Sequence, residues 1–89
     1  MMVQKEKVPY FLKFSLASLR VRKGLTQKEA AEMLGMTRDT LRGYEKDSSQ
    51  LDYQTIKKIE KIYNVPQDYI FFGKSTALSV ILEKEEPDE

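Results

Sequence analysis

The stretch GLTQKEAAEMLGMTRDTLRGYEKD, residues 24–47, decides the fold of this chain. Thr26 and Glu29 have the spacing of a capping box, in which the threonine caps the helix start and the glutamate reaches back to the cap residue. Apolar residues follow at helical spacing, and Gly35 is a natural helix stop. The stretch therefore predicts a short helix over about 27–34.

A second helix start follows the first almost at once. Thr37 is a good N-cap, and the pattern after it predicts a helix over about 38–46. Gly35 lets the backbone turn sharply between the two helices, and the small side chain of Ala31 lets their axes approach closely. This spacing is typical of a helix-turn-helix, in which the second helix enters the major groove of DNA.

The second of these helices has a polar face opposite its apolar residues. At 100° per residue, one face collects Arg38, Asp39, Arg42, Gly43 and Lys46. An arginine fork matches O6 and N7 of guanine, and a carboxylate is able to accept a hydrogen bond from the cytosine amine. Lys28, Arg42 and Lys46 are better placed for phosphates, which position a protein without reading sequence.

The rest of the chain predicts an all-α, compact bundle of about five short helices. The further helices are expected at about 16–23, 53–63 and 68–72, whereas 76–82 fits a strand and a helix equally well. Three parts follow: an N-terminal arm at 1–13, partly extended; a helix-turn-helix domain at 14–73; and a C-terminal extension with an acidic tail at 74–89.

Composition limits the function. The chain has 89 residues, with no cysteine and no histidine, so thiolate zinc sites and the commonest acid–base catalyst are absent. We expect no enzyme activity, no cofactor and no metal. No apolar run approaches the roughly 20 residues that span a bilayer, and the start is not that of a signal peptide, so a cytoplasmic location is expected.

Charge is distributed unevenly. Residues 83–89 carry five acids and one lysine, so residues 1–82 carry a net charge of +5 although the whole chain carries +1. A basic body with an acidic tail suits a protein that binds a polyanion. The alternative is an ordinary solvated surface followed by a tail without structure.

The run LRVRKGLTQKEAAEMLGMTRDTLRGYEKD resembles the lambda repressor/Cro-type helix-turn-helix family, also called the XRE family. The similarity continues through TIKKIEKIYNVPQDYIFF and covers about 14–72. It implies that Gln27 contacts a phosphate and steadies the start of the recognition helix. It also implies that Arg38 and Asp39 read bases, and that Thr37 and Thr40 lie near the DNA backbone or a thymine methyl group.

The resemblance also implies a structural bridge between Arg20 and Glu45. One departure concerns Gly43, since the family often has a long polar side chain there. Either glycine lets the helix approach DNA more closely, or base reading at that end is lost. The second interpretation is favoured here, and specificity would then depend on Arg38 and Asp39.

The function expected from these features is sequence-specific transcriptional regulation, of the phage or bacterial repressor type, by a dimer on a palindromic operator. The expected dimer surface consists of Tyr69, Ile70, Phe71, Phe72, Leu78, Val80, Ile81 and Leu82. Alternatively, Phe71 and Phe72 close the core of the monomer. A second function remains open: an antitoxin or adaptor whose main partner is a protein, with DNA binding secondary. Besides double-stranded DNA, a regulatory protein partner is therefore considered.

Overall fold

A computed structural model describes residues 8–84 of the chain. Within that range the prediction of an all-α fold is confirmed, with two isolated β-bridges as the only extended pairing. Single 3₁₀ turns lie at Tyr10–Leu12 and Gln67–Tyr69. The α-helices are α1 (Leu16–Arg22), α2 (Gln27–Leu34), α3 (Arg38–Lys46), α4 (Tyr53–Tyr63) and α5 (Ser75–Lys84).

The starts of the first four helices are fixed by side-chain caps. Each cap oxygen accepts a hydrogen bond from the backbone N–H three residues later, which satisfies one of the free donors at a helix start. The predicted capping box of α2 is complete, since Glu29 also accepts from the backbone N–H of its own cap residue at 2.9 Å. The caps are Ser15, Thr26, Thr37 and Asp52.

Two helix ends use left-handed backbone conformations. Gly35 ends α2 at φ 73° and Asn64 ends α4 at φ 56°. Gly35 allows the immediate turn into α3, because a residue with a Cβ would be strained at that φ. The helix-turn-helix geometry thus follows from this stop and from the Thr37 cap.

One hydrophobic cluster holds the helices together. Ala30 and Ala31 are buried where α2 meets the rest of the fold, and Leu41 is the buried residue of α3. Burying large aliphatic side chains contributes about 1.5–3 kcal/mol each. The cluster consists of Leu16, Leu19, Ala30, Ala31, Leu34, Leu41, Ile59, Tyr63 and Ile70.

The helix predicted at 68–72 is wrong. Gln67–Tyr69 makes only a 3₁₀ turn, and Ile70 is extended at φ −108° and ψ 132°. The cause is pairing with the N-terminal segment: the N–H of Phe14 donates to the carbonyl of Tyr69 at 2.8 Å, and the N–H of Phe71 donates to the carbonyl of Phe14 at 2.9 Å. These two bonds hold the backbone extended where a helix would need it coiled.

The ambiguous segment 76–82 is helical and belongs to α5. This helix contacts both the Tyr10–Leu12 turn and α3, and it buries Leu78. Residues assigned by sequence to an arm and to an extension are therefore packed on the domain. The rest of the arm, 1–7, and most of the acidic tail, 85–89, lie outside the described residues.

The expected dimer surface needs a correction. Ile70 and Leu78 are only 1% and 7% exposed, and Phe71 is buried as well, so these three side chains cannot present a surface to a partner. They lie inside because the Phe14–Ile70 bridge and α5 close over them. Of the other expected residues, Phe72 and Ile81 are partly buried, whereas Tyr69, Val80 and Leu82 are exposed.

Candidate nucleic-acid interface

The polar face of α3 is open to solvent. Leu41 is buried against the core, and the side of α3 opposite it is not covered by any other part of the described chain. The exposed residues of this face are Arg38, Asp39, Arg42, Gly43 and Lys46. Helical periodicity predicted this arrangement, because the five positions share one side of a 3.6-residue turn.

Lys28 joins this face from the preceding helix. It is exposed near the start of α2 and lines one surface depression together with Thr37, Arg38 and Asp39. The turn of the motif thus brings together two cations that are ten residues apart in sequence. The resulting surface carries four basic side chains and two acidic ones, Asp39 and Glu32, which lines the same depression, and this excess of positive charge favours a polyanion.

The first turn of α3 is organised by two hydroxyl groups. The Thr37 hydroxyl accepts from the backbone N–H of Thr40 at 3.1 Å and donates to the Thr40 hydroxyl at 2.9 Å. The proton of Thr40 itself is then available for an external acceptor. Backbone N–H groups and the helix dipole make this end of α3 favourable for an anion such as phosphate.

The other end of α3 is held by a polar network. The expected bridge is present: Arg20 Nε donates to Glu45 Oε2 at 2.7 Å, and Arg20 Nη2 donates to Glu45 Oε1 at 3.3 Å. Arg20 Nη1 also donates to the Leu25 carbonyl at 2.9 Å. This bidentate pair ties the last turn of α3 to α1 and to the loop before α2, so it fixes the direction of the exposed face.

Gln27 belongs to the same network, and its place differs from what the resemblance implied. Its Nε2 donates to Glu45 Oε1 at 3.0 Å, so this bond steadies the last turn of α3 and not its start. The side chain is half-buried and lines a depression that also contains Lys28 and Arg38. Gln27 therefore lies at the edge of the open face.

Sequence reasoning missed the surroundings of this network. Tyr63 is the last residue of α4, and its hydroxyl is buried without a hydrogen-bond partner in the described part of the chain. Burial raises the pKa of Tyr63 to about 12, and the nearby Glu45 carboxylate adds to the effect. The phenol consequently stays neutral beneath the ion pair.

Ser48 is a second residue that sequence reasoning missed. Its hydroxyl accepts from the backbone N–H of Gly73 at 2.9 Å, and its own N–H donates to the Gly73 carbonyl at 2.9 Å. An isolated bridge between Asp47 and Lys74 lies beside these bonds. These hydrogen bonds therefore hold the end of α3 to the segment that leads into α5. No local sequence signal indicates this contact, because the two residues are 25 positions apart.

A metal site and a membrane-spanning helix are both absent between residues 8 and 84. No group of histidine, cysteine, aspartate or glutamate side chains in that range is arranged to hold a metal ion. No helix there is long and apolar enough to cross a membrane.

The fold and the open α3 face are those of a helix-turn-helix protein, and comparison with known proteins agrees. Residues 16–70 match the family described as "Helix-turn-helix". The match covers more than half of the chain, and the chain belongs to this family, in its XRE-type branch. The resemblance inferred from the motif is thereby confirmed.

The chain is also similar to three bacterial and phage regulators. It is 42% identical over 55 residues to the HTH-type transcriptional regulator ImmR of Bacillus subtilis, covering 62% of this chain and 43% of that protein. It is 39% identical over 61 residues to the uncharacterized HTH-type transcriptional regulator YqaE of the same organism, covering 68% and 53%. It is 35% identical over 51 residues to the cryptic phage CTXphi transcriptional repressor RstR of Vibrio cholerae, covering 57% and 46%. The chain thus spans about half the length of these relatives.

Proposed function

We propose that this protein is a sequence-specific DNA-binding transcriptional regulator of the phage or bacterial repressor type. The observation that carries the proposal is the uncovered polar face of α3, with its basic side chains, next to the exposed start of α2. The names of the relatives, two regulators and a phage repressor, support the same class.

Within the proposed complex, the start of α3 reads bases and its surroundings hold the backbone. Arg38 is assigned to a guanine, and Asp39 either accepts from a cytosine amine or orients a neighbouring arginine. Phosphates are assigned to the flanking donors, because such contacts fix the register of the protein on the duplex. These donors are Gln27, Lys28, Thr37, Thr40, Arg42 and Lys46.

We further propose that the regulator acts as a homodimer on a palindromic operator, with recognition helices about 34 Å apart. The Tyr10–Leu12 turn and α5 contact each other, and both expose large apolar side chains. A two-fold interface uses the same patch of both subunits, and these exposed side chains support placing that patch on this pair of elements. The exposed apolar side chains are Phe11, Leu12, Val80 and Leu82.

The test begins with selection of bound sequences from random duplexes, which reports half-site, spacing and symmetry. Arg38→Ala should then weaken binding to the selected sequence by about 5- to 150-fold, the worth of one bidentate guanine contact, and relax the preference at one base. Lys61→Ala is the charge-matched control, because Lys61 is exposed and does not line the three depressions that the described residues form beside Arg38, Asp39 and Arg42. Equal losses in both variants, or equal losses on selected and random DNA, would refute base reading by Arg38.

The second candidate, an antitoxin or adaptor whose main partner is a protein, is favoured by the same exposed apolar side chains. Val80→Glu separates the two functions. Loss of both dimer and operator binding, measured by sedimentation and by titration with DNA, supports the regulator. If Val80→Glu changes neither dimerisation nor operator binding, the exposed apolar side chains are better explained as a binding surface for a different protein.

A further inference from the structure

No contact of Gly43 within residues 8–84 explains why this position is glycine. It lies in the middle of α3 with an ordinary negative φ, unlike the glycines at 24, 35 and 73. Among the described residues, and apart from the backbone of α3 itself, a Cβ added at Gly43 would meet no heavy atom within 4 Å. Neither backbone conformation nor packing therefore requires glycine, although glycine weakens a helix interior relative to alanine.

The surroundings of Gly43 form a notch on the polar face. The notch is lined by Gly43 with Asp39 and Lys46, which lie four and three residues away along the helix, and with the adjacent Arg42. The Gly43 carbonyl is already used, since it accepts from the N–H of Asp47 at 3.0 Å. A ligand that enters the notch therefore contacts the C–H groups of the Gly43 Cα at its base and charged side chains at its sides.

This chemistry selects among the groups in a major groove. Base edges there present hydrogen-bond donors and acceptors, which need a polar partner, and the C5-methyl group of thymine, which needs none. The apolar Cα at the base of the notch makes a favourable contact with the methyl group, whereas a base donor or acceptor placed against it would lack a hydrogen-bond partner.

We propose, on the basis of the DNA-binding function above, that Gly43 is a specificity-determining residue whose missing side chain seats a thymine methyl group of the operator. This replaces the interpretation favoured from sequence, in which base reading at this end of α3 is lost. Under that interpretation alanine would serve equally well and would make a better helix. A thymine methyl group bound in the notch explains why residue 43 is glycine, because a Cβ there would occupy the space that the methyl group fills.

The experiment replaces each thymine of the selected operator, one at a time, by deoxyuridine, which removes only the methyl group. At one thymine of each half-site, the replacement should lower the affinity of the parent protein for the operator about 4-fold, which is the effect of losing one buried methyl group. Gly43→Ala should bind the thymine operator about tenfold more weakly, comparable to one mismatched base pair, and should no longer distinguish thymine from uracil there.

The control is Val21→Ala, which adds helix propensity at an exposed position of α1 without changing α3. Both variants should melt at or above the parent temperature, so that weakened binding is not a folding defect. A Gly43→Ala protein with parental affinity, or one that keeps parental discrimination between thymine and uracil, would overturn the seat while DNA binding itself stands. A parent protein that selects no sequence would overturn the proposed function and the seat with it.

Discussion

Glu45→Ala is the most informative change for the site. Glu45 accepts three hydrogen bonds, two from Arg20 and one from Gln27, and its side chain is only 6% exposed. The substitution leaves Arg20, at 15% exposure, with the Leu25 carbonyl as its remaining partner. Removing one member of a buried pair costs about 3–5 kcal/mol, and the retained carbonyl bond places this case near the lower end, about 3 kcal/mol.

The assay is urea unfolding followed by circular dichroism, with thermal unfolding beside it. For a domain of this size, about 3 kcal/mol corresponds to a melting temperature lower by about 12 °C or more. Glu45→Gln should lose less, because the amide oxygen still accepts from Arg20. The double variant Arg20→Ala/Glu45→Ala should cost less than the sum of the single changes, since the two residues are coupled.

The chain supplies its own matched control for this experiment. Lys57 and Glu60 form a second ion pair at 3.1 Å on the surface of α4, with the lysine side chain 48% exposed. Exposed pairs contribute little, so Lys57→Ala should leave the unfolding transition unchanged. If the unfolding transition of Glu45→Ala coincides with those of the parent and of Lys57→Ala within experimental error, the network around Glu45 does not hold α3 in place.

Three further outcomes are expected. Gly43→Ala should raise the free energy of unfolding by about 1 kcal/mol, and a decrease measured in urea would show a hidden need for glycine. Ser48→Ala should lower the free energy of unfolding by about 1–3 kcal/mol, because the Gly73 N–H loses its partner. Ser79→Ala, on the exposed surface of α5, should leave the free energy of unfolding unchanged. Equal effects of the two changes would argue against the Ser48–Gly73 contact. Tyr63→Phe should be neutral or stabilising at pH 7, because it removes a buried hydroxyl without a partner. The folded-state pKa of Tyr63 is raised from 10.0 to about 12, so this tyrosine's contribution is complete below pH 10 and is lost as the pH rises through 12. Parent protein should therefore lose more stability than Tyr63→Phe in that window, and parallel pH profiles would contradict the assignment.

Much of the motif could be predicted because its signals are local. A cap such as Thr37 bonds to a backbone N–H three residues later, and a stop such as Gly35 depends on one φ angle. The predicted bounds of α2, α3 and α4 match the structure for this reason. The exposed side of α3 was predictable as well, since helical periodicity places Leu41 nearly opposite Asp39 and Gly43, within the polar face.

The partners of each surface were not predictable in the same way. The Arg20–Glu45 bridge came from a family resemblance, and the Gln27 bond to Glu45 and the Ser48 bond to Gly73 appeared only in three dimensions. Each joins residues 18 or 25 positions apart. Side chains at such separations meet only when the helices between them have packed.

The sequence by itself thus determined the helix-turn-helix, its caps and the polar face of α3, because hydrogen bonds within one turn set the caps and helical periodicity sets the face. Only the tertiary structure decided the fate of the C-terminal third. Backbone pairing of Phe14 with Ile70 prevented a helix at 68–72, and α5 buried Leu78 that sequence had assigned to a dimer surface. An apolar residue signals that it will be buried, but the surface that buries it is set by the packing of the whole chain.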